Sequence, residues 1–175
     1  YTHVLQLDAD GQHQVEDTPR MLAEAERHPH CLISGQPIYD ASIPKSRLYG
    51  RYITHFWVWV ETLSFSLKDS MCGFRVYPLQ PSLSLCDRRA IGQRMDFDTE
   101  IMVRLYWQGT PSRFISTRVT YPATGLSHFD ALRDNVRISW MHTRLFFGML
   151  PRIPQLLRRR DPTKHWSATP ERRGQ

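Results

Sequence analysis

Residues 4–13, VLQLDADGQH, decide how the rest of the chain is read. Val4, Leu5, Gln6 and Leu7 predict a short, largely apolar, buried strand. The strand delivers Asp8, Asp10, Gln12 and His13 into a turn that Gly11 permits. Two carboxylates one residue apart at the carboxyl end of a strand suit a hard divalent cation. Mg²⁺ and Mn²⁺ prefer oxygen ligands, and Mg²⁺ takes only one or two protein carboxylates alongside substrate phosphates. Open α/β sheets bind ligands just beyond the carboxyl ends of their strands. The same residues also fit an Asx-rich turn that leads into the next helix.

Downstream, short strands alternate with helical stretches, which predicts an α/β sheet domain with added helices. Asp17 and Thr18 form a helix start with Pro19 in the first turn, and Met21, Leu22 and Ala25 supply the apolar stripe. Residues 31–34 read as a second buried strand and 35–44 as a turn-rich loop. Residues 45–67, KSRLYGRYITHFWVWVETLSFSL, predict one long helix, basic at its front (Lys45, Arg47, Arg51) and aromatic at its rear. His55 and Glu61 interrupt it, so it is too short to span a membrane. It reads either as a core helix or as one lying in a membrane interface. A loop and strand follow at 68–77, a short helix at 84–91, and an amphipathic helix at 95–107 that closes near Gly109. Residues 113–121 alternate like a strand, 122–126 form a turn, and 130–150 form an aromatic helix broken by Pro151 and Pro154. Residues 161–175 have the composition of a disordered tail.

The chain has 175 residues, a net charge of +6 and three cysteines. That length supports one domain with its own core. An odd cysteine count without metal-ligand spacing points to a reducing compartment. Residues 131–175 carry ten basic and three acidic side chains, a net of +7, whereas 1–130 carry 13 and 14, a net of −1. The positive charge therefore belongs to the final quarter, where it suits an anionic membrane surface. The nearly neutral body and the lack of any recognisable module argue against nucleic acid. There is no P-loop, G-x-S-x-G elbow, G-x-G-x-x-G or zinc spacing.

Three further clusters carry possible chemistry. Asp69 precedes Met71-Cys72-Gly73-Phe74-Arg75, where Gly73 permits a tight backbone and Arg75 could hold a phosphate or carboxylate. Asp96, Asp98 and Glu100 stand at a helix start, where the helix dipole alone already favours acids. Ser127-His128 follows the Gly125 turn.

DADGQH, a long amphipathic helix, D-x-x-CGFR, FDTEIMVRLYWQG and V-x-YP-x-x-G-x-SHF, in this order, resemble family-2 glycosyltransferases. The nearest likeness is to the dolichyl- and polyprenyl-phosphate hexose synthases, and SWMHTRLFFGML also resembles the enzymes of aryl-polyene lipid clusters. The resemblance implies the C-terminal part of a GT-A fold, with a partial catalytic domain at 1–129, an amphipathic basic and aromatic extension at 130–160, and the tail at 161–175. It implies a nucleotide-sugar donor, a lipid-like acceptor, Mg²⁺ or Mn²⁺, and an inverting transfer on the cytoplasmic face of a membrane. Asp8, Asp10 and Gln12 match the metal and diphosphate motif. Asp69, Gly73 and Arg75 match the acceptor-side loop, and His128 falls in the last binding motif. Asp98 falls where the general base sits, and Glu100 matches an acid frequent in the polyprenyl-phosphate branch.

In the family the DxD motif lies mid-domain, so the strand and loop that hold the nucleotide are expected to precede Tyr1. Gln36-Pro37 replaces an arginine common after the second strand. Pro122 and His128 stand where lipid-phosphate synthases usually have Arg and Lys. These departures weaken a polyprenyl-phosphate acceptor more than glycosyl transfer itself. A non-catalytic membrane-surface or partner-binding fragment and a metal-dependent phosphoesterase using Asp8, Asp10 and Asp98 are the alternatives.

Overall fold

The computed structural model describes residues 1–39, 43, 45–120 and 130–159. Among the described residues, four strands form one mixed sheet: β1 (His3–Gln6), β2 (Leu32–Tyr39), β3 (Arg75–Pro78) and β4 (Ser112–Val119). Their order is β1-β3-β2-β4. β3 runs antiparallel to β1 and β2, while β4 lies parallel to β2. The described α-helices are α1 (Thr18–Arg27), α2 (Lys45–Thr62), α3 (Leu79–Arg88), α4 (Phe97–Gln108), α5 (Ala131–Met149) and α6 (Ile153–Arg158). The mixed α/β architecture is compatible with a Rossmann-like fold.

Strand alternation sorts the side chains onto two faces. Ile33, Val76 and Ile115 face α1, where Met21 and Ala25 complete one core. Leu32, Tyr77 and Phe114 face the other side, where α2 to α6 contribute Val58, Leu85, Met102, Leu145 and Leu156. The expected 130–160 extension is therefore built into the main core, with α5 packed on α2 and α4. A buried pair, His142 Nδ1 to Glu61 Oε1 at 2.7 Å, joins α5 to α2.

Four sequence expectations are corrected. β1 lies at a sheet edge rather than inside it, and Val4 is 46% exposed. β2 continues through the expected loop to Tyr39, paired with β4 along its length. Pro37 is tolerated because β3 reaches only Ile33 and Ser34. Gly35 N donates to Phe74 O on that side; two residues on, the Pro37 nitrogen faces the same, now open, edge. α2 stops at Thr62 instead of Leu67. Leu63 takes φ 50°, Leu63 N bonds Val60 O, and Ser64 N bonds Trp59 O. This is a Schellman end with leucine in the place glycine usually fills. α3 starts at Leu79, five residues early, because Pro81 sits in the first turn, where an amide is not needed.

α4 ends as expected at Gly109, which adopts φ 97°. The N-terminus of α5 is capped by Asp130, which accepts from the amides of Leu132 and Arg133, while Asp134 accepts from Asp130 N. No helix among the described residues is long and apolar enough to cross a membrane. The expected turn at 122–126, Ser127-His128 and the tail at 161–175 lie outside the described residues.

Candidate functional site

The DADGQH turn and the CGFR loop meet. A Cβ built on Gly73 would lie 2.0 Å from Asp8 Oδ2, so the Asp8 carboxylate rests directly on the glycine backbone. Asp10 Oδ1 accepts from Gln12 N at 3.0 Å and forms an Asx turn around Gly11, whose φ is 71°. Gln12 contributes its backbone: its carbonyl accepts from Thr120 N. His13 bridges to Val119 and lies with its ring 5.8 Å from that of Phe74. The turn is thus tied to the end of β4, and Asp8 and Asp10 stay open to solvent.

Asp69 organises the facing loop. Its Oδ1 accepts from the amides of Met71 at 2.9 Å and Cys72 at 2.8 Å. Its Oδ2 pairs with Arg51 on α2, and His55 Nε2 lies 3.6 Å away. Arg51 also lies over the Tyr39 ring at 5.2 Å. These contacts hold the backbone on which Gly73 meets Asp8.

Arg75 is fully buried beneath this loop. Its Nη2 donates to Ser70 O at 2.7 Å and its Nη1 to Asp98 O at 2.6 Å. Nη1 also lies 3.7 Å from Asp98 Oδ1. Gln6 Nε2 donates to the same Oδ1 at 2.9 Å, and Tyr77 Oη donates to Gln6 Oε1 at 2.9 Å. The end of β1, the start of β3 and the first turn of α4 thereby fix Asp98. Its side chain keeps about a fifth of its surface exposed (22%).

The local field is anionic at the turn. Burial raises the Asp8 carboxyl above its usual range, and Asp98 and Asp10 push it further up. Burial lowers the pKa of His13 and of His55, which favours neutral rings despite the nearby acids. The Cys72 thiol is pushed up to about 12 by burial and by Asp69, which makes it an inert packing group.

Glu100 has a different place. It is fully buried, its Oε1 accepts from Arg104, and its Oε2 accepts from Gly92 N and Arg144. The resemblance sets Glu100 beside Asp98 among the candidate catalytic residues. In the structure both of its oxygens anchor α4, α5 and the Gly92 loop. His128 lies outside the described residues. Gln6, Arg51, His55 and Tyr77 join the site without having been singled out. Arg51 and His55 are four apart on one helix face, the spacing that could have indicated a shared partner.

Among the described residues, no three His, Cys, Asp or Glu side chains gather as a ready-made metal cage. A Mg²⁺ or Mn²⁺ site of the phosphate-bridged kind needs fewer protein ligands. Burial first, and then the neighbouring Asp98 and Asp10 charges, raise the Asp8 pKa; the donor set that Asp8 and Asp10 present is carboxylate oxygen, the chemistry a hard divalent cation takes. No protein-family model matches the chain. No curated protein and no solved structure matches it either.

Proposed function

We propose that this chain is the metal-dependent part of an inverting glycosyltransferase of GT-A type, moving a sugar from a nucleotide-sugar to a lipid-like acceptor. The observation that carries the reading is the convergence of three separated motifs: Asp8 on Gly73, Asp69 behind that glycine, and Arg75 joined to Asp98. Asp8 and Asp10 are the residues that would hold Mg²⁺ or Mn²⁺. When bound, the cation supplies charge neutralisation for a leaving diphosphate.

The protein side chains do the rest. Asp98 is the general base: it accepts the proton of an acceptor hydroxyl whose oxygen forms the new bond to the sugar's anomeric carbon while the diphosphate oxygen leaves. Gln6 and Arg75 aim the Asp98 carboxylate, and Tyr77 orients Gln6. Asp69, Arg51 and His55 position the loop that carries Gly73. Glu100 anchors the helix that presents Asp98.

The test is transfer of a labelled sugar from a panel of nucleotide-sugars in Mn²⁺ by the complete protein, with wild type and Asp8→Asn compared. The reading predicts metal-dependent transfer that Asp8→Asn abolishes with the fold intact. Unchanged turnover in Asp8→Asn removes the metal assignment. Release of inorganic phosphate from phosphate esters without any sugar acceptor replaces the transferase with a phosphoesterase.

A further inference from the structure

α2 and α5 present one continuous exposed aromatic ledge. Ring contacts run from Phe56 to Trp57 at 5.7 Å, from Trp57 to Phe146 at 6.3 Å, and from Phe146 to Phe147 at 5.7 Å. The two end rings, Phe56 and Phe147, are 55% and 64% exposed. Ile53 extends the ledge along α2 and Trp140 extends it along α5, both more than half exposed. Apolar side chains joined across two helices mark an interaction surface rather than scattered surface residues.

The charge around the ledge is predominantly positive. The Lys, Arg, Asp and Glu residues between 131 and 159 are six arginines and one carboxylate, Asp134, which is fully buried. Arg133 and Arg137 are exposed one turn apart on α5, beside the Trp140 stripe, and Arg158 is exposed on α6. Arg133 is held only loosely by Asp130, at 3.9 Å. A helix with aromatic residues on one face and arginines flanking it has the composition of a segment lying in a bilayer interface.

We propose that this ledge docks the protein on an anionic lipid bilayer, with the rings of α2 and α5 in the interface and Arg133, Arg137 and Arg158 against the headgroups. The arginine stems lie along the apolar surface while their guanidinium groups reach anionic oxygens. A second copy of the chain is the poorer occupant. A two-fold interface would set these same arginines against each other, with the half-exposed Asp130 at the start of α5 as the one carboxylate beside them. Docking also orients the candidate site. Arg51 and His55, which hold Asp69, lie on the side of α2 opposite Ile53 and Phe56. The Asp69 loop is then separated from the lipid by about one helix diameter, some 10–12 Å. The docking stands whether or not the site transfers a sugar.

The test is flotation of the full chain with vesicles of phosphatidylcholine alone and of phosphatidylcholine mixed with phosphatidylglycerol, at low and high salt. No nucleotide-sugar is present, so the outcome does not depend on the reaction. The proposal predicts flotation with the anionic vesicles, a blue shift of tryptophan fluorescence, and release by salt. Reversing Arg133→Glu and Arg137→Glu together weakens binding by about thirtyfold or more. Trp140→Ser with Phe147→Ser removes the fluorescence shift while circular dichroism stays unchanged. The proposal fails if the wild type stays unbound by anionic vesicles at low salt, or if the arginine variants float equally well. It also fails if lipid-free sedimentation shows a dimer that the ring variants dissociate.

Discussion

Asp98 and Glu100 stand two residues apart on α4, and the helix turns them about 200° away from each other. Asp98 meets a neutral amide, one guanidinium at 3.7 Å, and solvent. Glu100 meets two arginines and a backbone amide, and no solvent. One carboxylate is held so that part of it remains available; the other is consumed by its partners. Residue type and spacing therefore do not assign a role here. Helix phase and the number of satisfied lone pairs do.

The largest effect is expected at Glu100. Glu100→Ala leaves Arg104 and Arg144 facing a cavity and Gly92 N unpaired, so unfolding in urea should show a loss of about 3 kcal/mol. This is the low end for a broken buried pair, because Arg144 is partly solvated and screened. A loss no larger than that of Asp98→Asn would place Glu100 on the same footing as Asp98.

Asp98→Asn should give the opposite profile. It keeps shape and a polar group near Gln6 but leaves the buried Arg75 guanidinium without its carboxylate, so stability should fall by about 1–2 kcal/mol, less than for Glu100→Ala because the pair is 3.7 Å apart and Asp98 is partly solvated. Turnover with a hydroxyl acceptor should fall by about 10²-fold or more, and far less with a phosphate acceptor that is already an anion. Equal losses with both acceptor types would remove the general-base role.

Gly73→Ala sharpens the same contrast from the other side of the site. Its methyl group collides with the Asp8 carboxylate, the movable end of a half-exposed side chain. Stability should shift by less than about 1 kcal/mol, while Mn²⁺ affinity falls about tenfold as Asp8 is displaced. Both are read by thermal melting with and without the metal.

The smallest effect is on pH dependence. The Asp8 pKa is raised, so the folded state binds a proton there more readily than the unfolded chain. Its contribution to stability is unfavourable above the raised pKa and is relieved as pH falls through that pKa toward 3.8. His13 and His55 act oppositely: their pKa values are lowered, so stability declines as pH drops below the ordinary 6.5. Asp8→Asn should stabilise the metal-free protein at neutral pH by a few tenths of a kcal/mol. That gain should vanish near pH 4, as urea midpoints across pH would show. A constant gain across pH would mean that the charge of Asp8 is not the cause.

Much of this was legible in the sequence where a residue has a single physical use. Gly11 and Gly109 announced their turns because both take positive φ. DADGQH announced a strand end carrying acids. Leu63 could not announce the end of α2, because leucine is a poor left-handed residue and nothing in the pattern distinguishes it from a further helical turn. Pro37 read as a loop because tolerance of its missing amide depends on where β3 stops, which is a property of the sheet. Arg51 and His55 were visible as helix residues, but their partner Asp69 reaches them only after the chain reverses at 63–74. The contrast between Asp98 and Glu100 was hidden for the same reason: the arginine from α5 arrives from 44 positions away.

We propose Asp8 and Asp10 as the cation-holding edge of a diphosphate site. Mn²⁺ titration followed by water proton relaxation, on wild type and Asp8→Asn, with and without a nucleoside diphosphate, tests it most directly. Wild type should bind Mn²⁺ with an affinity that the diphosphate strengthens and that Asp8→Asn loses. Equal Mn²⁺ binding by the two proteins, indifferent to the diphosphate, would contradict it.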